Sequence, residues 1–245
     1  MGIGGLLTSL AFAVLLVAGN PARAMSVSPI LTDMAPAGRD SRSTITVVNT
    51  GTTALPVEIV VNRLELGENG EFGLTPDDAD FLIFPPQAMI APGASQVFRL
   101  QWAGDPDIAE SRSYALMVNQ IPVDSQASGT VLELVYSVVV YVNVSPLQGT
   151  SEVRLLRIGP ATAEHGERRL ELVVENRGNR HHYLSHDRIL LTTPDGWSRE
   201  FRASEFASTV GIGLVQPGRT RRFILPIEPP AGTTISGEIA TDEER

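Results

Sequence analysis

The chain has 245 residues, 42% hydrophobic and 19% charged, with 19 basic against 28 acidic residues, a formal net charge of −9 and no cysteine. The acidic balance argues against nucleic acid as a partner, and the missing thiols exclude disulfides, thiol catalysis and Cys-ligated zinc. Lysine is absent, so a side-chain anion site would have to use arginine.

Residues 1–24 read as a cleavable signal peptide. An apolar run over 6–18 is followed by Ala22-Arg23-Ala24, a small-x-small cleavage pattern, although the leading "MGIGG" lacks the usual Lys or Arg. The competing reading, a membrane anchor, needs about 20 apolar residues, more than this run supplies. Cleavage before Met25 leaves a chain sized for one large or two small domains. Short strands are then expected at "STITVVN" (43–49), "PVEIVVNRLEL" (56–66), "SQVFRLQW" (95–102) and "SYALMVNQI" (113–121), separated by the Gly- and Pro-rich breaks "NTG", "GENGEFG", "APGA" and "IPVD". This spacing predicts a β-sandwich and no helix of useful length. The acidic run "PDDAD" (76–80) lacks calcium-loop spacing and the distal Glu, and reads as a solvated loop.

"GTVLELVYSVVVYVNVSP" (129–146) is the most strongly patterned stretch. Its even positions Leu132, Leu134, Tyr136, Val138, Val140, Val142 and Val144 are all apolar or aromatic, while the odd positions are mixed. Period-two alternation of β-branched and aromatic residues specifies a strand, and Glu133 with the short length argues against a membrane span. Typical strands have about 5–6 residues, so one sandwich face rarely covers a strand of this length. The cover of its other half is left open. The strand leads into "SPLQGT" (145–150), a candidate domain junction. Beyond it the pattern repeats: "TVVNTG" (46–51) is echoed by "LVVENRG" (172–178), and "APGASQVFRL" (91–100) by "QPGRTRRFIL" (216–225), in the same order and with matching spacing. Two similar sandwich domains are therefore expected.

Catalytic signatures are missing. There is no phosphate-binding Gly motif in a strand-to-helix context and no G-x-S-x-G elbow. In "RHHYLSH" (180–186) an extended strand would put His182 and His186 on one side and His181 on the other; further metal ligands are not evident, so the stretch reads as a polar strand edge and no metal or other cofactor is assigned. The chain is read as a binding protein, not an enzyme.

The ordered set "VSP" near the mature start, "TITVVNTG", "PVEIVV", "FPP", "APGASQVFRL", "SRSYALMVNQIP" and the long strand ending at Pro146 resembles the periplasmic pilus-assembly chaperones of the chaperone–usher pathway, the PapD-like family. "SRSYAL" and "YSVVVYV" look most like its archaic, Csu-like branch. The resemblance spans nearly all of residues 25–245. It implies an all-β fold of two immunoglobulin-like sandwiches, 25–146 and 147–245, meeting at an angle around 145–150 to form a cleft. It also implies a periplasmic chaperone that lends the last strand of its first domain to a pilin subunit and delivers that subunit to an outer-membrane usher. On this likeness Leu132, Leu134, Tyr136 and Val138 are the donor residues, and Val140, Val142 and Val144 belong to the chaperone's own core. The family's better-known branch anchors the subunit's terminal carboxylate with an Arg and a Lys; here Thr32 or Asp33 and Tyr141 stand at those positions. Arg112, in "SRSYAL", is the candidate replacement, against the alternative of an ordinary ion pair. Pilin or fimbrial subunits and the usher are the expected partners, with no nucleic acid and no membrane insertion after signal cleavage. Self-association of the free form stays open. The alternative function is a structural pilin, adhesin or two-domain surface module; a pilin would lack its closing strand.

Overall fold

The computed structural model describes residues 25–122, 136–162 and 166–241. The amino-terminal part contains β1 (Met25–Ser28), β2 (Leu31–Met34), β3 (Arg42–Asn49), β4 (Leu55–Leu66), β5 (Phe72–Pro76), β6 (Phe81–Phe84), β7 (Gln87–Ile90), β8 (Ser95–Trp102), β9 (Arg112–Gln120) and β10 (Ser137–Val144). One sheet has the order β1-β3-β8-β6; the other runs β2-β10-β9-β4-β5, with β7 also on β4. Alternation along the strands decides which side chains enter the sandwich. In β8, Phe98, Leu100 and Trp102 are buried while Arg99 and Gln101 face solvent. Ile45, Val47, Tyr114, Leu116, Val140, Val142 and Val144 complete this core. The last three are 0% exposed, as expected for residues of the protein's own interior.

The second part contains β11 (Val153–Thr162), β12 (Arg168–Asn176), β13 (His182–Tyr183), β14 (Asp187–Thr192), β15 (Ser198–Phe201), α1 (Ala203–Thr209), β16 (Leu214–Val215), β17 (Thr220–Leu225) and β18 (Ser236–Thr241). Its sheets are β11-β12-β17, β13-β16 and β15-β14-β18, packed around Leu170, Leu172, Leu184, Ile189, Phe201 and Phe223. The helix corrects the expectation of no useful helical stretch. Two turns carry too few residues for an apolar repeat; what holds α1 is a single buried side chain, Phe206, edge-on to Phe223 at 5.9 Å between centroids.

The two sequence echoes are one structural device used twice. Asn49 ends β3 and Asn176 ends β12, each four residues after the partner of the echoed phenylalanine: Ile45 faces Phe98, and Leu172 faces Phe223. Asn49 Nδ2 donates to the Thr53 and Ile90 carbonyls at 2.7 and 2.9 Å, and its Oδ1 accepts from Gly51 N. Asn176 Nδ2 donates to the Arg180 and Val215 carbonyls at 2.7 and 3.1 Å, and its Oδ1 accepts from Gly178 N. Gly93 N and Gly218 N bond the two asparagine carbonyls, each at 2.9 Å. Both glycines have positive φ, 71° and 64°, which suits a residue without Cβ.

Between the two cores lies a third apolar cluster of Leu64, Leu66, Ala115, Tyr183 and Leu214. β9 pairs with β4 only as far as Arg63, so β4 has an uncovered edge beyond it. Gln216 fills that edge: its Oε1 accepts from Leu66 N and its Nε2 donates to Leu64 O, both at 2.8 Å. One side-chain amide thus does what a strand would do.

Candidate functional site: an open strand edge above a cleft

β10 is paired with β9 along its whole length, from Ser137↔Asn119 to Val144↔Arg112. Its other side is covered only in part. β2 lies parallel to it from Tyr141↔Leu31 to Val144↔Met34, and Tyr141 N donates to Ile30 O at 2.9 Å. From Ser137 to Val140 no strand among the described residues pairs with that side. An unpaired row of N–H and C=O groups is a template for another chain. The closing strand is therefore interior at its hinge end and an edge at its start. Val138 and Tyr136 point toward the first core and are half-buried against it, while Leu132 and Leu134 lie outside the described residues.

Below this edge the outer face of the same sheet presents Val139, Tyr141, Met117, Leu74 and Phe72. Phe72 is 60% exposed and stacks on Tyr141 at 6.4 Å. The second part closes the space with Ile212, Leu214, Arg221 and Phe223, leaving a cleft of about 470 Å³. The hinge end of β10 is tied down by polar contacts. Ser113 Oγ donates to Asn143 Oδ1, and Asn143 Nδ2 donates to Tyr183 Oη, both at 2.6 Å. Tyr183 Oη donates in turn to Asp33 Oδ1 at 2.7 Å, where His181 Nε2 also arrives at 3.0 Å. Burial would raise the Asp33 pKa, but the hydrogen bonds from His181 and Tyr183 outweigh it and hold the carboxyl below its usual value.

These contacts revise two sequence expectations. The chain turns into a 3-10 helix at Leu184–His186, so period-two alternation stops after Tyr183. His186 then packs on the Tyr183 ring at 5.0 Å, as His181 does at 4.9 Å, while His182 bonds Asp187 on its own side of the junction. No group of three His, Cys, Asp or Glu suited to a metal occurs among the described residues. The run 76–80 is not wholly solvated either. Asp77 Oδ1 caps the turn through Ala79 N and Asp80 N, and the Asp80 side chain is only 14% exposed.

Asp80 also defines the surroundings of Arg112. Arg112 Nη1 lies 3.3 Å from Asp80 Oδ2, Arg63 Nη1 lies 3.9 Å from it, and the Tyr114 hydroxyl donates to it. Burial, then Asp80 itself, pushes the Tyr114 pKa up. Arg112 shares the inward face with Tyr114 and Leu116, whereas Ala115 and Tyr141 face the cleft. It sits opposite Val144, seven residues along β10 from Ser137, which is roughly 23 Å. The structure therefore brings Tyr136 and Val138 together at the open edge and puts Arg112 at the other end of the strand. Sequence reasoning missed Asp33, Asp80, Tyr183, Gln216 and Arg221. Only Gln216 and Arg221 carried a signal, since both fall within the second echo.

Residues 27–148 match the family described as pili and flagellar-assembly chaperone, PapD N-terminal domain. In fold the chain is similar to the class 5 fimbriae chaperone CfaA, at 13% identity and TM-score 0.53 over 89% of this chain and 98% of that one. It is similar to a chain of the CsuC–CsuE chaperone–tip adhesion subunit pre-assembly complex from the archaic Csu pili of Acinetobacter baumannii, at 16% identity and TM-score 0.52 over 89% and 97%. A third likeness is to a chain of the Salmonella enterica SafA pilin–SafB chaperone complex, at 15% identity and TM-score 0.52 over 84% and 86%. No curated protein matches the chain in sequence. At these identities the solved structures establish the fold, two immunoglobulin-like domains.

Proposed function

The chain belongs to the PapD-like family of pili and flagellar-assembly chaperones, and from that premise we propose that it holds pilin subunits by strand addition in the periplasm and passes them to an outer-membrane usher. The observation that carries the reading is the half-covered closing strand. β2 protects β10 from Tyr141 onward, and the bare stretch begins where the even-numbered donor residues precede it. A client strand laid along Ser137–Val140 and the residues before it would complete its main-chain hydrogen bonds there. Leu132, Leu134, Tyr136 and Val138 would fill the client's groove, each contributing roughly 1.5–3 kcal/mol before ordering costs. The first sandwich already contains its closing strand, which a pilin awaiting a donor would lack. The same reading makes residues 1–24 a signal peptide and places the domain boundary between Pro146 and Leu147. Among the described residues no helix is long and apolar enough to cross a membrane.

The test compares Leu134→Asp with Val142→Asp. Val142 is 0% exposed, so a carboxylate there is buried without a partner and the first domain should fail to fold. Leu134→Asp should leave the melting temperature nearly unchanged and abolish co-purification with a pilin subunit from the same gene cluster. A folded Leu134→Asp protein that captures pilin as well as wild type sinks the donor assignment.

A further inference from the structure

The stretch "GRTRRF" (218–223) carries three arginines, and two of them have carboxylate partners. Arg219 Nη2 lies 3.1 Å from Glu65 Oε2 across the junction, and Arg222 Nε lies 2.5 Å from Glu171 Oε2. Arg221 makes no ion pair among the described residues. Its Nη1 donates to the Leu214 carbonyl at 2.8 Å, its guanidinium lies 5.2 Å from the Phe223 ring centroid, and its buried Nε–H has no acceptor. Burial lowers the Arg221 pKa and nearby Glu71 opposes that. Glu71 itself is exposed and accepts from Asn69 Nδ2 at 2.9 Å. A donor withdrawn from water without an acceptor costs about 1–3 kcal/mol, and more when it is charged. No acceptor among the described residues recovers that cost.

Arg221 lines the interdomain cleft together with Tyr141 and Phe72. Gly70 lies over it with φ +94°; a Cβ there would stand 3.3 Å from Nη2, so the absent side chain keeps the guanidinium uncovered. Tyr141 is the residue at which β2 first covers β10, and its hydroxyl has no hydrogen-bond partner among the described residues. An unpaired cation and an unpaired phenol thus share an apolar cleft directly after the open edge. Arg112, by contrast, is engaged by Asp80 on the opposite face of the sheet.

We propose that Arg221, with Tyr141, is an anion-binding point of this cleft, and that it takes a carboxylate from the polypeptide held on β10. This rests on the strand-addition reading above. The planar guanidinium fork accepts a carboxylate bidentately, and the carboxylate comes either from the client's chain end or from an acidic side chain near it. Charge would then be contributed by the second domain, so both domains, not the donor strand alone, select the client.

The experiment uses the full mature chain and a pilin subunit from the same gene cluster. Capture is compared for wild type, Arg221→Gln, Arg221→Lys and Arg112→Ala against three clients: native, extended by three carboxy-terminal residues, and with its terminal acidic side chains changed to amides. Arg221→Gln should weaken capture of the native client about tenfold, equivalent to about 1.4 kcal/mol, with the free protein melting no lower than wild type. Arg221→Lys should restore part of the loss. If the chain end is the ligand, the extended client binds wild type weakly and Arg221→Gln weakens it no further; if a side chain is, the amide client behaves that way. Equal capture of the native client by wild type and Arg221→Gln overturns the inference while leaving the chaperone reading intact. So does an equal loss across all three clients, or a loss seen with Arg112→Ala alone. A wild-type protein that holds no pilin overturns both.

Discussion

Asn49 and Asn176 show how little sequence is needed to repeat a piece of structure. Each is nearly or wholly buried and uses its amide to close a turn, reach a neighbouring carbonyl and accept a backbone N–H. Aspartate could not donate the two Nδ2 bonds, and alanine would strand three backbone groups in each place. Asn49→Ala and Asn176→Ala should therefore destabilise their own domains by similar amounts, about 2–3 kcal/mol. Urea unfolding followed by Trp102 and Trp197 fluorescence, one tryptophan in each domain, checks this. A loss confined to one of the two mutants would show that the shared geometry does not carry shared energetics.

At the scale of elements, strand lengths matter more than strand identities. β2 stops short of covering β10, and that shortfall leaves the edge on which the proposed function depends. β9 likewise stops short of the end of β4, but there Gln216 supplies the missing donor and acceptor. The first gap is open and the second is sealed by the neighbouring domain. Gln216→Ala should reopen the second gap. The Leu66 amide, which now donates to Gln216 Oε1 at 2.8 Å, should then exchange with solvent at least about tenfold faster, while amides in the centre of β12 keep their protection. Unchanged exchange at Leu66 would mean that the apolar cluster alone holds the domains together.

At the scale of the whole molecule, the junction holds the cleft in shape through a charged network. Asp33 on β2 receives His181 and Tyr183 from the second domain, and Ser111 Oγ and Ser145 Oγ lie 3.0 Å apart beside the His181 ring. Because the folded-state Asp33 carboxyl sits below its ordinary value of 3.8, its contribution is present above that value and is lost as pH falls through the lower folded value. Solution scattering should accordingly report a fixed interdomain arrangement near pH 6 and a broader one as pH drops below about 3.8. Asp33→Asn should already be broader at pH 6 and respond less to acid. A scattering profile that is the same for both proteins across that range would remove Asp33 from the lock.

What the sequence determined by itself were the features written in short-range pattern. The period of two in β3, β4, β8, β9 and β10, the Pro-Gly turns and the repeated asparagine motifs each depend on neighbours within a few residues, and so they specified two sandwiches and the ownership of Val140, Val142 and Val144. Only the tertiary structure decided which groups from distant segments meet. Asp80 looked like one more solvated carboxylate until Arg63, Arg112 and Tyr114 were placed around it. Arg112 and Arg221 were indistinguishable as arginines, yet one is paired inside the sheet and the other faces the cleft unpaired. Even the open edge is decided by where β2 ends beside β10, more than a hundred residues later in the chain. Side-chain periodicity is a local property of the backbone, whereas the pairing of a charge and the covering of an edge depend on what the rest of the chain brings to that place.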